Sequence, residues 1–507
     1  MSELRGILLV IIGVVTLGYY YSWWFLDGRL SSPLLLLGLA IGLSYGFLQI
    51  LGSWLLYLAT HRRTNEVKPL NEALTTDVFI TACGEDYSMI ERSLTAACNL
   101  KGNHKTWLLD DKSDPVLLKL AKEYGAGYLT RPGHKDAKAG NVNEALKKTS
   151  GDIVVLFDVD HVPNPDFLER TLNYFCKPNV GFVQVMPTFS NGDESWVAQA
   201  AAETSLDFYN PTSIGMDGLK SVTKMGTNSL IRRDALEQIG GYRPGLAEDL
   251  ATSLELHAAG WGSVYVAEPL APGLVPPDLS AWFTQQLKWA RGVFDLLLTA
   301  YPRLFPKLSW GQRISYAVRT TKYWIGFIIF IHLLLTIAVL FFGDNATREG
   351  FENYLMHFFP LAFIEALIRF LALRKWGSNI QVEKGQGNAI ALVYATWPIY
   401  SLAWLMAIFR YPLRFKPTPK HSSGLKLGWL LPQLITTCLL LSALFFTILA
   451  ASGHLYPLSL LFAVLQVVAH IIFFRLALGS LKKVKKPNYS PKRSKAELWQ
   501  YSSDVNK

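Results

Sequence analysis

The sequence predicts a doubly wound, Rossmann-like α/β domain inserted in an α-helical transmembrane bundle. Three observations predict it. Long apolar stretches occupy both ends of the 507-residue chain and do not occur between Thr60 and about Asp278. Within that middle segment, short apolar runs alternate with helical patterns, as in a sheet wound by helices. Two of those runs end abruptly in paired carboxylates.

The apolar stretches come first in the chain. They are Gly6–Leu26, Pro33–Leu58, Tyr323–Gly343, Tyr354–Leu373, Ala389–Phe409, Gly428–Ala451 and Leu455–Leu478. A bilayer crossing needs about 20 residues, so most are long enough. Gly6–Leu26 lacks a clear small-residue cleavage site and a second stretch follows at once, so it reads as a retained anchor. The net charge is +10. Its basic residues cluster beside the apolar stretches, at His61-Arg62-Arg63, Arg303–Lys322, Arg410–Lys426 and Lys482–Lys495. That pattern belongs to a membrane protein, and no nucleic-acid partner is expected. The loops Asp27–Ser32, Asp344–Glu352 and Ser452–His454 hold only Arg29 and Arg348. The positive-inside rule then puts the middle domain and both termini in the cytoplasm of a cell whose inner or plasma membrane holds the chain.

Parity sets the number of crossings. If Ala389–Phe409 spanned, the basic Arg410–Lys426 loop would lie outside. The stretch carries Pro398 and mixed Tyr, Trp and Ser, so it reads as an interfacial helix, leaving six spans. The expected division is a hairpin of spans (1–60), a cytoplasmic domain (61–278), interfacial amphipathic helices (279–322), two spans (323–373), an interfacial helix and loop (374–426), two spans (427–479) and a basic cytoplasmic tail (480–507). The tail is polar and suits disorder or anionic lipid. Cys83, Cys98, Cys176 and Cys438 lack metal-ligand spacing and read as reduced thiols.

Inside the domain, Asp77–Ala82 is a short strand, and Lys105–Asp111 is another that ends in Asp110-Asp111. A helix is expected from about Pro115 to Tyr124, then a strand at Tyr128-Leu129-Thr130. The run Ile153–Phe157 is apolar without alternation, which fits a central strand of a parallel sheet. It ends in Asp158-Val159-Asp160. Ligands of such sheets bind beyond the carboxyl ends of the strands. Two carboxylates there suit a hard divalent cation shared with a phosphorylated ligand, or else an exposed acidic turn with capping duty. Lys138, beside Gly140 and a helix start, is an anion site or a solvated loop lysine. Glu248-Asp249 sit at a helix start, where N-capping is the plainer use. Trp282–Gly292, with Gln285, Lys288, Trp289 and Arg291, reads alone as an amphipathic membrane-surface helix.

Together these residues resemble the processive family 2 glycosyltransferases: cellulose, chitin and hyaluronan synthases and their relatives. The family pattern of D, DxD, ED and QxxRW is met by Asp110-Asp111, Asp158-Val159-Asp160, Glu248-Asp249 and Gln285-Gln286-Leu287-Lys288-Trp289. "HKDAKAGNVNEAL" and "MGTNSLIRRDAL" resemble two further family segments, and "RFKPTPKHS" resembles the gating loop of bacterial cellulose synthase catalytic subunits. In that loop Phe415, Thr418 and Lys420 match, while Pro417 and His421 depart.

The resemblance implies a GT-A fold and an inverting transfer from a UDP-sugar, glucose first among the candidates, to a growing β-glucan that crosses the bilayer through the chain's own bundle. It implies that Thr81, Glu85, Asp110 and Asp111 grip the uridine. Asp158 and Asp160 would hold Mg²⁺ or Mn²⁺, and Lys138, Thr418 and Lys420 would serve the diphosphate. Asp249, next to Glu248, would be the general base, while Gln285, Lys288 and Trp289 would hold acceptor or product. Lys288 stands where the family has Arg, which loses the planar fork for a pyrophosphate unless Arg291 contributes. The chain ends soon after its last span, so no cyclic-di-GMP-sensing domain is expected. Trp324, Tyr400 and Trp404 could line a polymer path or be ordinary interface aromatics.

The partners implied are the UDP-sugar, a polysaccharide or glycolipid acceptor, the bilayer and an export protein. A non-processive enzyme adding one sugar to a lipid is the main alternative. A transporter with a regulatory soluble domain is the remote one, and its candidate ionisable groups are His332, Glu365, Arg369 and His470.

Overall fold

The structure, a computed structural model, describes residues 3–25, 33–60, 74–342, 351–376, 387–414, 417–420, 422, 424–449 and 457–480. The expectations for the loops 27–32, 344–350 and 452–454, for His61-Arg62-Arg63, for Phe415 and His421 and for the basic tail lie outside the described residues.

Nine strands form among the described residues, all in the middle of the chain: β1 (Thr76–Ala82), β2 (Lys105–Asp110), β3 (Gly127–Thr130), β4 (Ile153–Asp158), β5 (Val180–Val185), β6 (Thr188–Phe189), β7 (Ser229–Arg232), β8 (Gly262–Val266) and β9 (Pro272–Gly273). Seven make one sheet in the order β3-β2-β1-β4-β7-β5-β8, and β6 pairs with β9. The register sets Thr81 opposite Asp158 and Ala82 opposite Asp110, so both acidic strand ends lie on one edge of the sheet.

β4 is apolar without alternation because both its faces are covered. Val155 and Phe157 enter one core with Val78, Ile80 and Leu108, while Val154 and Leu156 enter the other with Phe79, Leu109 and Phe182. Burying each such side chain stabilises the fold by about 1.5–3 kcal/mol. The expectation of a parallel sheet needs correction. β4 is parallel to β1, but its other neighbour β7 runs antiparallel to it and to β5. β7 has four residues, too few to show a period in the sequence.

Six helices among the described residues are long and apolar enough to cross a membrane: Leu4–Trp24, Pro33–Ala59, Trp310–Phe342, Glu352–Arg374, Leu427–Leu449 and Pro457–Leu478. The chain is a multi-pass membrane protein with its α/β domain set between the second and third of them. The domain docks directly on the second. A Cβ at Gly215 would meet the Leu56 carbonyl oxygen at 2.1 Å, so only glycine permits this approach. Tyr57 Oη donates to Asp207 Oδ1 beside it, at 2.6 Å.

The stretch expected to be one interfacial helix is two, Gly387–Ala395 and Trp397–Ile408, bent by 42°. Pro398 explains the break, since it lacks an N–H and clashes with the preceding turn. Gln433 Nε2 donates to the freed Ala395 carbonyl at 2.7 Å, and Trp282 Nε1 donates to Thr396 Oγ1 at 2.9 Å.

Candidate active site

The helix Leu279–Leu298 joins the domain to the membrane helices. Its N-cap Asp278 accepts from Ala281 N, and its apolar face packs on the bent pair. Gln286 Oε1 accepts from Tyr400 Oη at 2.8 Å inside that interface. Helix, sheet edge and spans enclose one cavity of about 1180 Å³. Thr81, Glu85, Asp111, Lys138, Asp158, Asp160, Glu248, Asp249, Gln285, Lys288, Trp289, Thr418 and Lys420 all line it. Asp110 alone of the expected residues does not. It lines an adjoining pocket of about 590 Å³ with Glu85, Lys112, Thr418 and Lys420.

At the sheet edge, Asp158, Asp160 and Asp111 each have a basic partner. Lys138 Nζ pairs with Asp158 Oδ1 and donates to the Gly226 carbonyl at 2.5 Å. Burial alone would depress this ammonium, but Asp158, Glu248 and Asp249 hold it above the usual lysine range. Thr81 Oγ1 donates to Asp158 Oδ1 at 3.2 Å. Asp160 is buried and pairs with Lys420 Nζ at 2.5 Å. Burial would raise its carboxyl, yet Lys420 and His161 hold it well below the ordinary carboxylate range. Asp111 Oδ1 accepts from Arg131 Nε at 2.6 Å. Asp110 is fully buried, and its carboxylate turns the loop by accepting from Lys112 N, Asp114 N and Tyr128 Oη at 2.6–2.8 Å. Glu85 accepts from Cys83 N at 2.6 Å, and burial raises its carboxyl.

Glu248 and Asp249 open the helix Glu248–Ala258. The capping use does not account for Asp249, because the N-cap is Ala247 and Asp249 Oδ1 accepts only from the next N–H, Leu250, at 2.7 Å. Burial and then Asp249 push Glu248 up to about 7. Burial raises Asp249 too, against Arg319, the Leu250 N–H, Lys138 and Lys224. A Cβ at Gly226 would lie 3.8 Å from Asp249 Oδ2, so the glycine whose carbonyl binds Lys138 also abuts Asp249. Gly226 has φ +83°, which favours glycine.

Lys288 faces the same acids, and burial lowers its ammonium against the pull of Glu248 and Asp158. Arg291 does not join it. Its guanidinium pairs with Asp295 and donates to the Tyr411 carbonyl at 3.1 Å, away from the cavity. Trp289 is 40% exposed on the cavity wall. Of the three aromatics considered for a path, Tyr400 lines the cavity; Trp324 and Trp404 pack edge to face on each other at 5.3 Å instead.

The sequence expectations omitted Gly226, His134, Arg319, Lys322 and Lys224. Gly226 had a signal, a glycine inside the "MGTN" segment. Lys224 had none. It is wholly buried, donates to Ser229 Oγ at 2.6 Å and lies over the rings of Phe182 and Tyr242.

No three His, Cys, Asp or Glu side chains among the described residues already converge as a metal centre. The donor set still suits a divalent cation that brings its own phosphate ligands. Asp158 and Asp160 are hard oxygen donors. His161, buried beside them, has both ring nitrogens without a hydrogen bond and lies 3.5 Å from Asp160 Oδ1.

Comparison with known proteins agrees with this geometry. The family described as "Glycosyltransferase like family 2" matches residues 75–292, and the family "Cellulose synthase" matches residues 237–389. Cellulose synthase 1 of Komagataeibacter xylinus is 30% identical over 357 residues, 66% of this chain and 23% of that protein. The UDP-forming cellulose synthase catalytic subunit of Pseudomonas fluorescens is 34% identical over 278 residues, 53% of this chain and 38% of that one. The chain thus spans less than half the length of these relatives. A mannosyltransferase of Pyrobaculum calidifontis, solved with GDP-mannose and Mn²⁺, shares the fold with a TM-score of 0.51 and 15% identity, over 73% of this chain and 99% of that one. The mixed sheet with flanking helices is the GT-A arrangement, and the two family matches run without a gap from the first strand into the membrane helices. The chain belongs to glycosyltransferase family 2, among its cellulose synthase-like members.

Proposed function

We propose that this protein is a membrane-embedded inverting glycosyltransferase that moves glucose from UDP-glucose to a growing β-glucan and passes the product into its own helical bundle. One observation carries this. A single cavity runs from the sheet edge at Thr81, Asp158 and Asp160, past Asp249, Gln285 and Trp289, to Tyr323, Ile329 and Tyr400 of the membrane helices. Donor, reacting atoms and departing product then share one enclosed path.

The roles follow from the chemistry. The pocket around Glu85, Asp110 and Lys112 takes the uridine, beside Thr81 and Asp111. Asp158 and Asp160, with His161 beside them, hold Mg²⁺ or Mn²⁺, which neutralises the leaving diphosphate when bound. Lys138 and, once it leaves Asp160, Lys420 add their charge to the diphosphate, and Thr418 adds a hydroxyl. Asp249 takes the proton of the acceptor hydroxyl, and burial raises its basicity for the task. Glu248, its neighbour, is raised by burial and by the charge of Asp249. Trp289 offers a ring to the apolar face of a pyranose, and Gln285 and Lys288 hold the acceptor beside the leaving group. The soluble domain and both termini face the cytoplasm of the inner or plasma membrane, and an export partner receives the polymer.

Purified protein with Mg²⁺ or Mn²⁺ is offered a panel of UDP-sugars. UDP release from UDP-glucose, with a product cut by a linkage-specific β-glucanase, is expected. No UDP release from any UDP-sugar overturns the proposal.

A further inference from the structure

Polar groups midway along the membrane helices are not used by the transfer chemistry. Ile325 and Ile329 of the helix Ile325–Phe342 line the cavity. His332 and Thr336 continue the same helical face, at the i, i+4, i+7 and i+11 spacing. Gln466 of the helix Pro457–Ser480 meets them there. Its Nε2 lies 3.4 Å from His332 Nδ1 and 3.4 Å from Thr336 Oγ1. One turn along that helix, His470 sets its ring edge to face with Tyr394 at 5.4 Å, and Tyr394 lines the cavity. A polar stripe thus starts at the cavity wall and runs between the third and sixth spans. It holds the two histidines that the sequence offers to a transporter.

The hydrogen bonding of this stripe is unfinished. Contacts of 3.4 Å are long against the about 2.7–3.2 Å of an ordinary N–H donor. Gln466 Oε1, His470 Nε2 and Tyr394 Oη are buried without a partner among the described residues. The side chains of Gln466, His470 and Thr336 are buried, and lipid offers no water to complete their bonds. Polar residues that only glue membrane helices together satisfy one another. His332 is exposed at mid-span, although its ring is edge to face with Phe462 at 5.2 Å and Phe462 is edge to face with Tyr354 at 5.7 Å. It therefore borders a space between the third, fourth and sixth spans. Donors and acceptors left open along one line suit a ligand that carries many hydroxyls.

We propose that Gln466 is a polar gate on the membrane path: in the empty protein its amide bridges His332 and Thr336 and closes the gap between the third and sixth spans, and a passing sugar chain takes over those bonds and adds His470 and Tyr394. The exchange is easy because the gate's own bonds are long and each is replaced by a bond to a hydroxyl. The closed gate keeps a cavity of about 1180 Å³ from leaking ions while no product fills it. The inference rests on the bundle being the product's path, but it is read without any donor sugar.

Full-length protein carrying Asp249→Asn, checked by hydrolysis to hold no sugar, is reconstituted in liposomes, and the efflux of entrapped potassium is followed. These liposomes are expected to be as tight as protein-free ones. Adding Gln466→Ala is expected to speed efflux at least about tenfold, as befits the loss of two weak hydrogen bonds from the closed state. Cellotetraose on both faces is expected to slow it again. Mg²⁺–UDP affinity serves as the folding control. Should the Gln466 variant not fold, Thr336→Val decides in the same background: faster efflux supports the gate, and unchanged efflux overturns it. Equal efflux with and without Gln466 overturns it as well. Efflux indifferent to cellotetraose would assign these groups to water and overturn the sugar. Failure of the transfer reading shows instead as no UDP release by the wild type, an assay that no Gln466 variant enters.

Discussion

Replacing Asp249 by Asn tests the proposed base most directly. The substitution keeps size and the Leu250 N–H contact but removes the basic oxygen. Loss of a general base costs about 10²–10⁴-fold in rate. The structure adds a pH signature. Burial and then Asp249 raise Glu248 to about 7, and burial raises Asp249, so the two carboxyls titrate as a pair. The base is active only when deprotonated. Turnover should therefore fall on the acid side at a pH above the ordinary carboxylate range, about tenfold per pH unit once the base is mostly protonated. A carboxylate near its solvent value of about 3.9 would lose only about a tenth of its activity at pH 5. The assay is UDP release from pH 5 to 9, beside Mg²⁺–UDP affinity by calorimetry at pH 5 and 8. Asp249→Asn should bind Mg²⁺–UDP nearly as well as wild type and make almost no product, whereas Asp160→Asn should lose metal-dependent binding. An acid limb below pH 5, near-normal turnover of Asp249→Asn, or a loss of UDP affinity matching that of Asp160→Asn would refute the assignment.

Lys420→Ala frees Asp160 of its partner, so turnover at limiting UDP-sugar should drop at least about tenfold, roughly 1.4 kcal/mol, with circular dichroism unchanged; unaltered turnover counts against the role of the loop. Burial pulls Lys224 down to about 7, far below its unfolded value of about 10.4. Between those values the unfolded chain binds a proton that the folded one does not, so stability falls as pH drops from about 10 to 7 and then levels off. Lys224→Met should flatten that slope, of at most about 1.4 kcal/mol per pH unit, in thermal melts of detergent-solubilised protein; an unchanged slope rejects the cause. A single cysteine at Ser422→Cys should react with an impermeant reagent only from the cytoplasmic side; labelling of intact cells from outside would sink both the proposed topology and the gating-loop assignment.

The strands that end in Asp110 and Asp158 were legible because a strand covered on both faces is apolar throughout, and the polar residue after it marks the edge. Their shared edge follows from parallel pairing through β1. The antiparallel β7 was not legible, since four residues carry no period. Nor was the bend at Thr396. Pro398 hinted at it, but the partners that stabilise the break, Gln433 and Trp282, are distant in sequence. The contact of Lys420 with Asp160 joins residues 260 apart, and only the family pattern suggested that the two belong together. Lys224 had no pattern to announce it, since its meaning lies in what surrounds it, which propensity and spacing do not encode.

The two ends of the cavity differ in electrical balance, and the difference bears on how substrates enter. At the sheet edge Asp158, Asp160 and Asp111 are each paired, with Lys138, Lys420 and Arg131. A diphosphate arriving with its cation need not create charge there. With the proposed roles, the carboxylates would pass to the cation and the lysines to the phosphate oxygens, so one set of ion pairs would replace another and little desolvation would be added. This exchange also suits a lysine at position 288. With Arg291 held by Asp295 and the Tyr411 carbonyl, Lys288 is a compact point charge facing Glu248 and Asp158, able to follow the shifting negative charge without the fixed geometry of a guanidinium. Toward the membrane the balance is set by Asp249, whose carboxyl burial raises and Arg319 pulls back, so the proposed base lies between a paired sheet edge and a cationic wall.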